Sequence, residues 1–281
     1  MIAASRLGVQ AHCLRFEIQQ GLEPALARMA GRGLASIELV RFPGCRGNRW
    51  GDFGAATDRS PADIGAAIRA AGLTCPSVMI SPPEAQASTL DASIDWVRGV
   101  GADHLVLTSL PTPGSGSLAQ WSAAFAQLNE LGQRVKAGGL NFAIHTQPGL
   151  WASVEGVRLA DRLLQMIDPA FCRIEFDPSG AIVYGTDPAR YVRQRPEAFY
   201  SLHLRDGLQP PEPVFYLASE PLGQRYIDWP ELLDAAAASS IEWYFLEMEV
   251  TEPADTVPAI DASLEFLRAH DLITRNARTP A

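Results

Sequence analysis

The chain has 281 residues, of which 47% are hydrophobic and 20% are charged, and this balance excludes a disordered protein. Its 32 acidic residues outnumber 23 basic ones and give a formal net charge of −9, which argues against a general binder of nucleic acid. The four cysteines include no C-x-x-C pair, and no apolar run reaches the length of a membrane span, so a disulfide framework and a membrane protein are both disfavoured.

The first half of the chain alternates short apolar runs with amphipathic stretches. Runs too short for an ordinary helix predict buried parallel strands at residues 7–12, 35–41, 74–80 and 104–110. Helical spacing predicts helices at residues 22–31, 61–71, 85–99 and 118–137, the second of which has a start signal in Ser60-Pro61. Residues 42–60 are rich in Gly and Arg and are interpreted as a long loop. In the barrel predicted below, this loop would lie over the mouth, the end at which the strands finish.

The second half repeats the pattern. Strands are predicted at residues 140–146, 172–177, 198–204 and 241–249, and helices at 154–167, 187–194, 229–239 and 255–270. Residues 206–228 are too rich in Pro for regular structure and are interpreted as a second mouth loop. Eight strand–helix units without an internal linker predict an α/β protein, a single (β/α)₈ TIM barrel over residues 1–271 with a disordered tail at 272–281.

Ionisable side chains stand at or near the ends of six predicted strands: His12, Glu38, His145, Asp177, His203 and Glu247. Barrel enzymes carry their chemistry at these C-terminal strand ends. A histidine flanked by two carboxylates suits a divalent metal such as Mn²⁺, Mg²⁺, Co²⁺ or Zn²⁺. The ion would polarise a sugar carbonyl, and a neighbouring carboxylate would move the proton. The structural alternatives are a helix cap for Asp177, a satisfied core position for His203 and a barrel ion pair for Glu247.

Other candidates surround this set. Glu38 is interpreted as a residue that orients the site or contacts substrate, with a barrel ion pair as the alternative. His12, together with Gln10, is a candidate to bind a sugar hydroxyl. Arg205 follows His203 by two residues and therefore points to the same side of the strand, where it would hold an anionic substrate or pair with Asp177. The loop aromatics Trp50, Phe53 and Trp151 are predicted to stack on a sugar or to anchor their loops.

Several motifs resemble those of one known family. They are the strand ending in Asp177, the G-x-DP helix start at 185–188, HLRD at 203–206, LGQ…IDWP at 222–230 and the strand ending in Glu247. GVQAHCLR near the start and GL-x-C-P-S at 72–77 also fit. This pattern resembles the sugar phosphate isomerases/epimerases, the xylose isomerase-like TIM barrels, over nearly the whole chain. The resemblance is specific for fold and weak for substrate.

The resemblance implies a divalent metal held by Glu, Asp, His and Glu at four strand ends. Asp177, His203 and Glu247 match the last three ligands, and His145 stands where the first Glu is expected, so the implied metal set includes His145. Glu247, His145 and Glu38 are the catalytic candidates. Two further positions depart from the family pattern, because Gly180 and Met79 stand where many members have histidines.

The expected activity is that of a metal-dependent isomerase or epimerase acting on a sugar or keto-sugar through an enediolate. The alternatives are a keto-sugar or inosose dehydratase and a barrel that binds a sugar-like ligand with lost or altered catalysis. An endonuclease for abasic DNA is disfavoured by the net charge and by only five histidines. We expect a small carbohydrate-like partner and no nucleic acid or membrane. The N-terminus has no signal peptide pattern, which favours the cytoplasm, and homo-oligomerisation is left open.

Overall fold

The computed structural model describes residues 1–42, 59–110, 116–207, 219–223, 226–248 and 253–274. Eight parallel strands form a closed barrel in which each strand pairs with the next along the chain and the last pairs with the first. The strands are β1 (Leu7–Gln10), β2 (Ser36–Arg41), β3 (Ser77–Ile80), β4 (His104–Leu107), β5 (Asn141–His145), β6 (Arg173–Phe176), β7 (Phe199–Leu204) and β8 (Trp243–Leu246). The predicted barrel is confirmed.

The helices of the described residues cover the outside of the strands. They are α1 (Arg15–Gln20), α2 (Leu22–Ala30), α3 (Pro61–Ala70), α4 (Leu90–Val100), α5 (Leu118–Ala137), α6 (Leu159–Met166), α7 (Pro178–Val183), α8 (Pro188–Gln194), α9 (Trp229–Ala237) and α10 (Thr256–Ala269). The Ser60 side chain caps α3 by accepting from the Asp63 backbone N–H, and Pro61 is the first helical residue. The predicted start signal is therefore confirmed.

The prediction of one helix through residues 154–167 is wrong at its start. Ser153–Val154 and Val157–Arg158 form a short antiparallel ribbon, and α6 begins only at Leu159. The turn between them contains Glu155 and Gly156, both with positive φ, and a left-handed backbone cannot continue a right-handed helix. Apolar spacing alone did not reveal this turn.

Other differences concern boundaries. The predicted fourth strand runs three residues too far, since β4 ends at Leu107, and α7 was not predicted. The predicted mouth loops lie mostly outside the described residues, as does most of the predicted tail. None of the described helices is long and apolar enough to cross a membrane.

The barrel interior is polar in the half near the C-terminal ends of the strands. Successive strand residues point alternately inward and outward, so Ile37 and Leu39 pack outward while Glu38 points inward. Glu38, Glu175 and His203 contact one another inside the barrel and expose no surface. Because of this alternation, ionisable side chains lie inside the barrel from its middle to the C-terminal ends of the strands.

Candidate functional site

Five of the predicted residues meet at the C-terminal end of the barrel, in an arrangement we call the mouth cluster: His145, Asp177, His203, Arg205 and Glu247. His203 Nδ1 lies 2.8 Å from Glu247 Oε2. The rings of His145 and His203 are 5.0 Å apart between centroids, and His145 Nε2 is 3.9 Å from Asp177 Oδ2. All five residues are buried, so the predicted convergence of the strand ends holds in three dimensions.

Beneath the mouth cluster, His203 is held from inside the barrel. Its Nε2 lies 2.9 Å from Glu38 Oε2 and 3.5 Å from Glu175 Oε2. Two hydroxyl groups complete the network, because Ser77 donates to Glu38 at 2.6 Å and Ser201 donates to Glu175 at 2.7 Å. The imidazole is therefore held between one carboxyl group above it and two below. The contact of Glu38 with His203 fits both the orienting role and the barrel ion pair, so the role of Glu38 stays a prediction.

The two lower carboxyl groups have opposite pKa shifts. Burial, followed by the charge of Glu175, raises the pKa of Glu38 to about 8. Burial also opposes ionisation of Glu175, but the charge and hydrogen bond of His203 outweigh it and lower the pKa of Glu175 to about 2. Burial disfavours the charged form of His203, yet Glu175 and Glu247 raise its pKa well above the usual value. These pKa shifts favour an imidazolium at His203 between the carboxylates of Glu175 and Glu247 and oppose ionisation of Glu38.

Asp177 is held by Arg205. Asp177 Oδ1 accepts from the Ser179 backbone N–H at 2.9 Å, the Ser179 hydroxyl at 2.7 Å and Arg205 Nε at 3.3 Å. Asp177 Oδ2 accepts from Arg205 Nη2. Arg205 Nη1 also lies 3.6 Å from Glu247 Oε2. The guanidinium group therefore sits between two carboxylates, and of the two roles predicted for Arg205 the structure contains the pairing with Asp177.

His145 is the member of the mouth cluster that lacks hydrogen bonds among the described residues. Both of its ring nitrogens are buried without a partner. Burial lowers the pKa of His145, and the positive charge of His203 lowers it further. The ring is consequently neutral at pH 7 and offers a lone pair, as a metal ligand must. A buried polar group without a partner is costly, and such a group calls for an explanation by function.

Two groups of described residues have ligand atoms close enough to share a metal ion. One consists of His145, His203 and Glu247, and the other of Glu38, Glu175 and His203; within each group the atoms lie within 4.8 Å of one another. Asp177 belongs to neither group. His145 makes the first group the better fit, because its unpartnered nitrogen would gain a ligand bond. His203 would have to release a proton to join it.

The strand-one and strand-three candidates line the same end of the barrel. Gln10 donates from Nε2 to Met79 Sδ at 3.1 Å and accepts from the His12 backbone N–H at 2.5 Å. Gln10 and Met79 are buried and His12 is half-buried. Substrate contacts by His12 stay a prediction.

Trp151 lies among packing residues. It is only 1% exposed, with its ring 4.8 Å from Tyr191 and 5.9 Å from Phe176 between centroids. A Cβ on Gly180 would lie 2.6 Å from the indole, so Trp151 fills the space that a side chain at 180 needs. The structure does not bring Trp151 into the mouth cluster, and Trp50 and Phe53 lie outside the described residues.

Sequence reasoning missed Glu175, Ser179 and the two barrel serines. Glu175 precedes Asp177 by two residues, and strand alternation places both on the same face. That spacing was sufficient to find Glu175. Ser179 had a weaker signal, the Asp-Pro-Ser start of a helix in which the Asp caps the Ser N–H.

Comparisons with known proteins agree with this architecture. The sequence matches the family described as xylose isomerase-like TIM barrel over residues 26–270, whereas the comparison with curated proteins gives no match. A sugar phosphate isomerase/epimerase from Parabacteroides distasonis is similar in structure, with a TM-score of 0.78, 19% identity and 96% of each chain covered.

Two more solved structures are similar at still lower identity. The probable 3-DHS dehydratase AsbF from Bacillus anthracis has a TM-score of 0.68 and 12% identity, with 96% of this chain and 100% of that chain covered. The IolI protein with a bound zinc atom has a TM-score of 0.72 and 13% identity, with the same two coverages. Because the family match spans most of the chain and the barrel is closed with eight parallel strands, this protein belongs to the xylose isomerase-like TIM barrel family.

Proposed function

We propose that the protein is an isomerase or epimerase of a sugar or keto-sugar, acting through an enediolate at the mouth cluster. The observation that carries the proposal is the pair of Glu247 and His203, hydrogen-bonded at 2.8 Å beside His145, whose nitrogens have no hydrogen-bond partner in the part of the chain that the structure describes. A buried carboxylate and a neutral imidazole at a barrel mouth are suited to removing and returning a proton next to a carbonyl group.

Glu247 is the proposed base. The guanidinium of Arg205 and the charge of His203 lower the pKa of Glu247 well below its usual value against the opposing effect of burial, so it is an ionised acceptor at neutral pH. His203 donates to Glu247 and is itself held by Glu38, which fixes the direction of the carboxylate. Return of the proton by Glu247 to the neighbouring carbon gives isomerisation, whereas epimerisation requires a second acid on the opposite face of the enediolate to supply the proton.

The proposal includes a divalent cation held by His145, His203 and Glu247. When bound there, the ion would polarise the substrate carbonyl and stabilise negative charge on its oxygen. The support is the unpartnered His145, the three ligand atoms within 4.8 Å and the zinc in one structural neighbour. Asp177 is expected to contribute only if Arg205 moves away from it.

A keto-sugar dehydratase is the second candidate. In this candidate His145 at the end of β5 transfers a proton instead of holding the cation. An elimination needs one group to take a proton and another to give one to the departing hydroxyl, and Glu247 and His145 are suited to these two roles. The dehydratase among the structural neighbours also favours this candidate.

NMR analysis of a panel of keto-sugars in D₂O tests the proposal. Deuterium entering a C–H position without loss of water is the result expected for isomerisation or epimerisation. Loss of water would favour the dehydratase. If wild-type protein with added Mn²⁺, Co²⁺ or Zn²⁺ neither exchanges nor dehydrates any sugar of the panel, while binding one of them, the chain is a sugar-binding barrel and the proposed reaction is wrong.

A further inference from the structure

We infer that Arg205 withholds Asp177 from the metal ion. This chain then binds a divalent cation through His145, His203 and Glu247, with lower affinity than a site that also includes Asp177. The inference rests on the proposed function, since it concerns the cation of the same site. It makes Arg205 the residue that determines which ligands the ion receives.

The first argument is that the side chain of Asp177 accepts four hydrogen bonds. Its Oδ1 accepts three hydrogen bonds, two of them from Ser179, and its Oδ2 accepts from Arg205 Nη2. Arg205 also donates to the Ser179 hydroxyl at 3.1 Å. The side chain of Asp177 is 1% exposed, and a buried bidentate pair of this kind is strongly bound by its geometry. An ion at Asp177 would have to compete with the Arg205 guanidinium for Oδ2.

The second argument is the position of the positive charge. Arg205 Nη1 lies 3.6 Å from Glu247 Oε2, and Arg205 Nη2 contacts Asp177 Oδ2. The guanidinium is therefore placed between two carboxylates that the family resemblance assigns to the ion. This positive charge would repel an ion near His145. Removing Arg205 from Asp177 would in turn leave a buried charge without compensation.

The third argument comes from His145. Its Nε2 is 3.9 Å from Asp177 Oδ2, beyond hydrogen-bond distance, and neither nitrogen has a partner among the described residues. His145 Nε2 and Asp177 Oδ2 are close enough to share an ion. Asp177 is nevertheless outside the set of mutually close ligand atoms, and Arg205 Nη2 occupies its Oδ2. The ligand atoms that remain within mutual reach are those of His145, His203 and Glu247.

The test is a double-mutant cycle of wild type, Asp177→Asn, Arg205→Met and the double variant. Isothermal titration calorimetry with Mn²⁺, Co²⁺ and Zn²⁺ measures ion affinity without any substrate. We expect Asp177→Asn to weaken ion binding much less in the wild-type background than in the Arg205→Met background. Arg205→Met should strengthen binding about tenfold to a hundredfold, the range in which partners of metal ligands act, and Asp177→Asn should remove this gain in the Arg205→Met background.

Arg41→Met is the matched control. Arg41 also pairs with a buried acid near the end of a barrel strand, Glu84, but neither belongs to the ligand groups, so ion affinity should not change. Thermal unfolding confirms that each variant is folded. If Arg205→Met does not fold, Arg205→Lys keeps the charge and loses the bidentate fork, and a smaller gain is expected.

The outcomes separate this inference from the proposed function. Equal weakening by Asp177→Asn in both backgrounds, or no gain from Arg205→Met in a wild type that does bind ions, overturns the inference and leaves the proposed function standing. Binding by Arg205→Met and none by wild type overturns the inferred three-ligand site of the wild type, together with the metal dependence of its reaction. Absence of binding in all four proteins overturns both the inference and the metal dependence of the proposed reaction.

Discussion

The two ends of the barrel carry clusters of similar composition that differ in burial and pairing. At the N-terminal end, a bottom cluster consists of His104, Arg173, Asp103, Glu242 and Tyr200, and both ring nitrogens of its histidine have partners. Asp103 lies 2.7 Å from His104 Nδ1, Arg173 lies 2.8 Å from His104 Nε2, and the ring of Tyr200 stacks on His104 at 3.7 Å. Its acids reach solvent, with 71% of the Asp103 side chain and 42% of the Glu242 side chain exposed.

At the mouth cluster the acids are enclosed. The side chains of Asp177 and Glu247 are 1% and 10% exposed, and His145 has no hydrogen-bond partner among the described residues. Charges at the bottom are solvated and cost little, whereas buried charges cost several kcal/mol per ion unless they are well paired. The two clusters therefore share residue types but differ in environment. At the mouth cluster, the acids are enclosed beside a histidine without a partner among the described residues.

The largest expected effect is on activity. Glu247→Gln removes the proposed base at the mouth and should lower turnover by roughly 10²–10⁴-fold, the contribution of general acid–base catalysis. Glu242→Gln, an acid of the bottom cluster, should leave turnover unchanged. Deuterium exchange into a responsive keto-sugar measures both. Equal losses in the two variants would remove the functional distinction between the two ends.

The next effect is on stability. His203→Ala leaves Glu38, Glu175 and Glu247 without their common partner, and breaking a buried ion pair in this way costs about 3–5 kcal/mol. His104→Ala loses hydrogen bonds whose acid partner is exposed, and should cost about 1–3 kcal/mol. Urea unfolding of the two variants measures the difference. A larger loss at His104 would mean that the charges around His203 are not buried as described.

A smaller effect concerns pH. The pKa of His145 is lowered in the folded protein, chiefly by burial, so between that pKa and the unfolded value of about 6.5 the unfolded chain binds more protons. The stability from neutral His145 is complete above about pH 6.5 and is lost as the pH falls through the folded pKa. His203 has the opposite sign, since its pKa is raised, but it is present in both proteins of the following comparison.

His145→Gln isolates this contribution. Unfolding free energies of wild type and His145→Gln, measured from about pH 5 to about pH 8 around the unperturbed histidine pKa, should converge or cross on the acid side as the wild type loses stability. Ion affinity of the wild type should fall over the same range, because protonation competes with ligation. A difference in stability that is independent of pH would show that His145 is not buried as a neutral ring.

The smallest effect is expected at the solvated rim of the bottom cluster. Glu242→Gln breaks an ion pair with Arg173 at 2.7 Å, and exposed pairs of this kind contribute about 0–1 kcal/mol. Thermal unfolding at low and high salt measures this contribution, which salt should reduce further. A loss of several kcal/mol would indicate that the bottom cluster also depends on buried charge.

The sequence by itself determined the repeated strand–helix order, and with it the barrel and the end at which polar side chains meet. Short apolar runs, helical spacing and the start signal at Ser60 and Pro61 are local properties, so they could be interpreted without a structure. The convergence of His145, Asp177, His203 and Glu247 followed from the closure of the barrel, since strand ends of a closed parallel sheet meet at one mouth.

Only the tertiary structure decided the partners within that mouth. That Arg205 pairs with Asp177, that Glu175 supports His203 beside Glu38 and that His145 has no described partner depend on distances between strands far apart in sequence. The same holds for Trp151, for which the sequence left both sugar stacking and loop anchoring open and which is buried against Gly180. Strand spacing gives the face on which a side chain lies, whereas the competition among buried charges for a limited number of partners is settled only when all eight strands are in place.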